Sequence, residues 1–182
     1  MTGKDRYEII LAGSGGQGLV VSGIMLGEGA ILDGKNVVQT VSYGIASRGG
    51  FSQAEVIIDQ DEIIFQQVLQ PDVVLALTEE AMDMYSGLAP AGTLVFYDST
   101  LLKSRPGDNL SGYPFTQMAA EHGHAGTANM IALGAISAAT GLVKTQSLIR
   151  VTQKRFSPQI AAINVRALYS GVGLVTGGPG RS

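Results

Sequence analysis

Apolar and polar positions along the chain form two kinds of run. Residues 7–12, YEIILA, are a short apolar run that ends at the turn Gly13-Ser14-Gly15-Gly16-Gln17-Gly18. A continuous apolar run before a glycine turn predicts a strand buried on both faces. Residues 19–32 predict a helix rich in small residues, in which Gly23, Gly27, Gly29 and Ala30 permit close approach to neighbours. Glycine inside a helix costs ~1 kcal/mol against alanine, and close packing is the usual reason it is tolerated. After the turn at residues 33–36, residues 37–41 predict a second strand, 42–50 an irregular stretch and 51–58 a third strand with partial alternation. A short helix is predicted over 62–69. Buried strands follow at 72–77 (DVVLAL) and 93–97 (TLVFY), with a helix at 79–86 between them. The polar stretch 99–113 reads as a loop. Helices are predicted at 114–122, 127–140, 145–155 and 158–169, the last with Pro158 in its first turn. The tail from 176 to 182, TGGPGRS, is predicted to be mobile.

Strands with intervening helices, then a helical C-terminal third, predict an α/β fold: a single three-layer Rossmann-like domain over 1–175 with a mainly parallel sheet. Of the 182 residues, 45% are hydrophobic and 15% charged, which excludes a disordered chain. There is no cysteine, so this chain alone makes no disulfide framework and no thiolate-held zinc or iron–sulfur cluster. No run of 18 apolar residues predicts a membrane span, and the first ten residues lack a signal-peptide pattern, so a cytoplasmic protein without membrane contact is expected. The net charge of -3 argues against nucleic-acid binding. The charge is uneven. Residues 1–121 carry fifteen acidic and six basic side chains, whereas 122–182 carry six basic ones and no acid. Two readings stand side by side: wet helix faces, or a basic surface for an anionic ligand or acidic partner.

Gly13, Gly15 and Gly18 satisfy G-x-G-x-x-G between a predicted strand and helix. Such a turn needs residues without Cβ, lets the backbone approach a ligand, and aims helix N–H groups at an anion. A dinucleotide site also needs an acid at the end of the second strand. That strand ends Val38-Gln39-Thr40-Val41, and Asp33 precedes it. No Lys-Ser or Lys-Thr follows Gly18, so the phosphate loop of nucleotide hydrolases is absent as well. An anion-binding turn and a turn that serves only tight packing both fit. His122 and His124 stand two apart with no ligand cluster beside them beyond Glu121, and read as exposed loop histidines rather than a metal site. Asp98 and Ser99 fall at a strand's C-terminal end, where a turn or helix cap is the preferred reading. Thr127 is a candidate N-cap.

The longer strings GSGGQGLVVSGIMLGEGA, SYGIASRGGFSQAEVII and ANMIALGAISAATGLV, in that order, resemble the gamma subunit or gamma domain of the 2-oxoacid:ferredoxin oxidoreductases. The resemblance runs from about residue 8 to 171. It implies a subunit of an enzyme that cleaves a 2-oxoacid oxidatively with coenzyme A, giving acyl-CoA, carbon dioxide and reduced ferredoxin. The 2-oxoglutarate type is favoured. It also implies alpha, beta and ferredoxin-like (delta) partner subunits, which carry thiamine diphosphate and the iron–sulfur clusters. This chain then binds no cofactor by itself, although coenzyme A is a candidate contact, and it is inactive alone.

Within that resemblance the candidate binding residues are Gly13, Gly15, Gly16, Gln17 and Gly18 of the first motif, Tyr43, Arg48, Gly49 and Gly50 of the second, and Asn129 of the third. Backbone N–H groups of the glycine loop suit a phosphate, and the Gln17 amide is a further candidate donor. The Arg48 guanidinium beside two glycines suits bidentate contact with phosphate or carboxylate, against an ion pair with Glu55. No catalytic residue and no metal ligand is assigned. The competing functions are a free-standing Rossmann-like nucleotide-binding protein and the beta subunit of an indolepyruvate oxidoreductase.

Overall fold

A computed structural model describes residues 4–43, 50–86 and 92–177. The described residues form one six-stranded sheet with helices on both faces. The strands are β1 (Arg6–Ser14), β2 (Asn36–Tyr43), β3 (Phe51–Asp59), β4 (Val73–Ala76), β5 (Leu94–Asp98) and β6 (Leu110–Tyr113). The helices are α1 (Leu19–Leu32), α2 (Glu79–Ser86), α3 (Phe115–Glu121), α4 (Ala128–Thr140), α5 (Thr145–Arg155) and α6 (Pro158–Thr176).

The strand order is β2-β3-β1-β4-β5-β6. β1, β4, β5 and β6 are parallel neighbours, while β3 runs antiparallel to both β1 and β2. The sheet is therefore mainly parallel, as the sequence predicts. A hairpin strand, β3, is wedged where a dinucleotide-binding fold places β2 directly beside β1.

Alternation divides the core into two layers. Ile9 and Leu11 of β1, Leu75 of β4 and Phe96 of β5 face α1 and the C-terminal helices. Ile10, Ala12, Val74, Val95 and Tyr97 face the other way, toward Ala81 and Met82 of α2. The layers are unequal: among the described residues α1, α3, α4, α5 and α6 all pack on the first face, whereas α2 is the one helix on the second, with Leu102 and Val68 beside it. Among the described residues no helix is long and apolar enough to cross a membrane.

The small residues of α1 do what their pattern implies. A Cβ on Gly27 would lie 3.1 Å from Val37, and one on Gly29 would lie 2.8 Å from Val143. α4 and α6 meet even more closely. A Cβ on Gly134 would overlap the carbonyl oxygen of Leu168, and one on Gly171 the carbonyl oxygen of Ile131.

Two sequence expectations fail. The helix over 62–69 does not form. This segment crosses the sheet end irregularly because side chains of β1 capture its backbone. The Leu69 and Gln70 N–H groups donate to Glu8 Oε2 at 2.8 and 3.0 Å, and Arg6 donates to the Phe65 carbonyl. The loop over 99–113 ends instead in β6, whose residues LSGY lack an apolar run because it is an edge strand only partly covered. α6 also continues seven residues past the predicted end at 169, to Thr176. Of the predicted mobile tail, residues 178–182 lie outside the described residues.

Candidate functional site

The chain leaves β1 for α1 and β2 on one side, and later enters β4 on the other, so the carboxyl ends of β1 and β4 mark a topological switch point. In open α/β sheets ligands bind there. The glycine loop lies at this point. Gly16 and Gly18 have φ of 94° and 75°, left-handed values that other residues adopt only with strain. Gly18 is the last residue before α1, and Ser22 N–H makes the first intrahelical bond, to the Gly18 carbonyl at 2.9 Å. The N–H groups of Leu19, Val20 and Val21 precede that bond and emerge at the helix start. The first turn of α1 holds no acidic side chain, so the positive end of its dipole is uncompensated there.

All three sequence motifs converge on this loop. Gly15 N–H donates to the Gly50 carbonyl at 3.0 Å, and Ser14 sits opposite Phe51 in the β1–β3 register. From the third motif, Asn129 is buried and its amide donates to Ser22 Oγ at 3.1 Å and to the Gly18 carbonyl at 3.4 Å. Hence Gly13, Gly15, Gly16, Gln17, Gly18, Gly50 and Asn129 form one constellation. The Tyr43 side chain, Arg48 and Gly49 lie outside the described residues. The carboxylate of Glu55, the alternative partner for Arg48, accepts from Gln53 at 2.8 Å and from Thr40 at 3.4 Å.

Gln17 has a different task from the one its chemistry suggested. Its Oε1 accepts from Ser14 N–H at 2.8 Å and its Nε2 donates to the Leu77 carbonyl at 3.2 Å. The amide therefore bolts the loop to the end of β4. The donors left at the loop are the backbone N–H groups at the start of α1. Asn129 similarly fixes the loop from the α4 side. A Cβ on Gly13 would overlap Gln17 Oε1 and so displace this amide from its bonds. Among the described residues nothing lies within 4 Å of a Cβ position on Gly16.

Asp98 caps, as preferred: its Oδ1 accepts from Thr100 N–H, and its Oδ2 from the N–H and hydroxyl of Thr116 in α3. Thr127 precedes α4 but makes no side-chain cap; its hydroxyl donates to the His124 carbonyl at 2.8 Å. Asp33 holds the other end of the fold, accepting from Lys144 N–H and Ser147 Oγ at the start of α5. It is thus committed to a cap, and the hairpin strand separates β2 from β1, so neither element of a ribose-binding acid is in place.

One group near the loop escaped sequence reasoning. Gln53, one residue past the partner of Gly13 in the register, accepts from the Tyr85 hydroxyl of α2. Burial pushes the Tyr85 phenol above its ordinary value, and the Glu55 carboxylate adds to this, outweighing the bond to Gln53. Only the partial alternation of β3, which sets Gln53 and Glu55 on one face, hinted at this network. At the opposite, N-terminal end of the sheet a polar cleft of about 370 Å³ is crossed by the Lys4–Asp72 and Arg6–Glu8 ion pairs. Among the described residues no group of His, Asp or Glu side chains is arranged to hold a metal ion.

The sequence pattern of the pyruvate ferredoxin/flavodoxin oxidoreductase family matches residues 8–174. The chain is 42% identical to the 2-oxoglutarate synthase subunit KorC of Archaeoglobus fulgidus, over 91% of this chain and 86% of that one. It is 38% identical to the same subunit of Methanocaldococcus jannaschii, over 80% and 81% of the two chains. In structure it superposes on the keto/oxoacid ferredoxin oxidoreductase gamma subunit of Geobacter sulfurreducens with a TM-score of 0.83 and 34% identity, covering 96% of this chain and 98% of the other. The glycine loop, the segment entering β3 and the start of α4 thus meet in a chain that belongs to the pyruvate ferredoxin/flavodoxin oxidoreductase family, as a gamma-type subunit.

Proposed function

We propose that this chain serves a 2-oxoacid:ferredoxin oxidoreductase that converts 2-oxoglutarate and coenzyme A to an acyl-CoA, carbon dioxide and reduced ferredoxin. The observation that carries the choice of acid is the 42% identity, over nearly the whole chain, to a 2-oxoglutarate synthase subunit. The chain has no cysteine, so thiolate-held clusters reside on other subunits. Alpha, beta and ferredoxin-like delta subunits supply thiamine diphosphate and the clusters, and the isolated chain turns nothing over.

In this reading the chain contributes binding and orientation. The N–H groups at Gly16, Gly18 and the start of α1 receive a phosphate of coenzyme A, where the α1 dipole favours negative charge. Among the described residues none stands over Gly16 to block it. Gln17 and Asn129 hold the loop so that these donors need no rearrangement on binding. Tyr43, Arg48, Gly49 and Gly50 complete the site, with Arg48 as its charged member.

The test is anaerobic capture of the tagged chain from its native cell extract. Partners are identified by mass, and the eluate is assayed for thiamine, iron and 2-oxoacid-dependent dye reduction with coenzyme A. Thiamine- and iron-bearing partners with activity highest on 2-oxoglutarate are expected. A lone chain from an active extract, or turnover by the purified chain, overturns the subunit reading. Highest activity on another 2-oxoacid overturns the choice of substrate.

A further inference from the structure

A second cavity, of about 350 Å³, opens between α6 and the turn joining α3 to α4. Its walls carry His122 and His124 from the turn, and Ile163, Arg166, Ala167 and Tyr169 from α6. Among the described residues the side chains of His122, His124, Arg166 and Tyr169 have no hydrogen-bond or ion-pair partner, and no carboxylate lines the cavity. The available donors are numerous: the guanidinium fork, at least one N–H on each imidazole whatever its protonation, and a phenol. All four side chains are exposed, so their donors are open to an acceptor-rich, negatively charged group. The nearest acid in sequence, Glu121, accepts from Gln117 on α3. Residues 122–182 contain no acid that competes for the donors.

The floor differs from the rim. Ala167 is buried and Ile163 half-buried, so the cavity has an apolar base beneath its cationic edge. Its volume lies toward the small end of ligand pockets, which run roughly 300–1,000 Å³. The α6 wall is held rigidly, because its backbone rests directly on that of α4 at Gly134 and Gly171.

We propose that this cavity is a separate binding site for a small organic acid. Its carboxylate lies between Arg166 and the two imidazoles, and its apolar body rests on Ile163 and Ala167. The site stands independently of the glycine loop and of the reaction assigned above.

The test uses the fact that these are the only two histidines in the chain. The imidazole Cε1–H proton resonances of the full chain are followed by NMR during titration with benzoate at constant ionic strength. Benzamide is the uncharged control. Both resonances are expected to shift saturably with benzoate and not with benzamide. Arg166→Gln should weaken the apparent affinity about tenfold or more. Arg150→Gln, the same loss of charge on α5 outside the cavity, should leave it unchanged. Non-saturating shifts, equal response to benzamide, or equal weakening by the two substitutions overturns the proposal. Both arginines are exposed, and circular dichroism of each variant verifies that the fold is retained.

Discussion

Adding one methyl group to α6 at two nearby positions should have opposite effects. Gly171 is buried against α4, where a Cβ would overlap the Ile131 carbonyl oxygen and come within 2.8 Å of the Ala135 nitrogen. Both are backbone atoms, so no rotamer change relieves the clash. Real Cβ atoms essentially never approach a heavy atom within 3.0 Å, and α4 and α6 must part by roughly 1 Å, which forfeits a quarter to a half of the dispersion energy along the seam. Overpacking of this kind costs about 1–3 kcal/mol, and a clash with backbone belongs at the upper end. Alanine returns about 1 kcal/mol of helix propensity. Gly171→Ala should therefore destabilise by about 2 kcal/mol net. Two residues on, Gly173 is exposed, and among the described residues nothing lies within 4 Å of its Cβ position. Gly173→Ala should stabilise by up to about 1 kcal/mol from propensity alone. For a chain of this size the melting temperature moves about 2–4 °C per kcal/mol. Urea and thermal unfolding by circular dichroism should thus show the first variant melting about 4–8 °C low and the second about 2–4 °C high. If both variants are stabilised alike, α4 and α6 are not in backbone contact and the reasoning fails.

Two further outcomes follow from the contacts. Asn129→Ala removes the donor to Gly18 and Ser22 and should cost about 1–2 kcal/mol in urea unfolding. By loosening the loop it should also weaken coenzyme A binding to the assembled complex about tenfold by calorimetry; unchanged affinity would separate the loop from that ligand. Burial pushes the Glu8 carboxyl up, but the N–H groups of Gln70 and Leu69 and the Arg6 guanidinium outweigh it and hold the group below its ordinary value of 4.5. A depressed carboxyl stabilises fully above 4.5 and loses that contribution as pH falls through the lower folded value. Glu8→Gln should therefore cost about 2 kcal/mol at neutral pH, and the gap to the parent should narrow in acid unfolding as pH falls below 4.5. A gap that does not depend on pH would show that charge on Glu8 is irrelevant to holding segment 60–70.

The elements with strong local signals were legible before any coordinates. α1 runs over residues 19–32, α2 over 79–86 and α5 over 145–155, as their apolar periods and flanking turns predict. The buried strands β1, β4 and β5 announced themselves as continuous apolar runs, because a strand covered on both faces must be apolar at every position. The motif strings carried the family, since glycines at a left-handed turn and at close helix contacts are fixed by local backbone geometry. Three things were decided only in the tertiary structure. Segment 60–70 has local helix-forming composition, but Glu8 and Arg6 lie some sixty residues away in sequence and claim its backbone groups. β6 has no apolar signature of its own and is a strand only because β5 offers an unpaired edge. Gln17 looked like a ligand donor by its chemistry. Its carbonyl is used within its own loop and its amide across the sheet at Leu77, so its role as a bolt depends on a strand sixty residues on. Sequence determines what each segment prefers in isolation. Contacts between distant segments determine which of those preferences survive, because a backbone or amide group already bonded to a partner is no longer available to a helix or to a ligand.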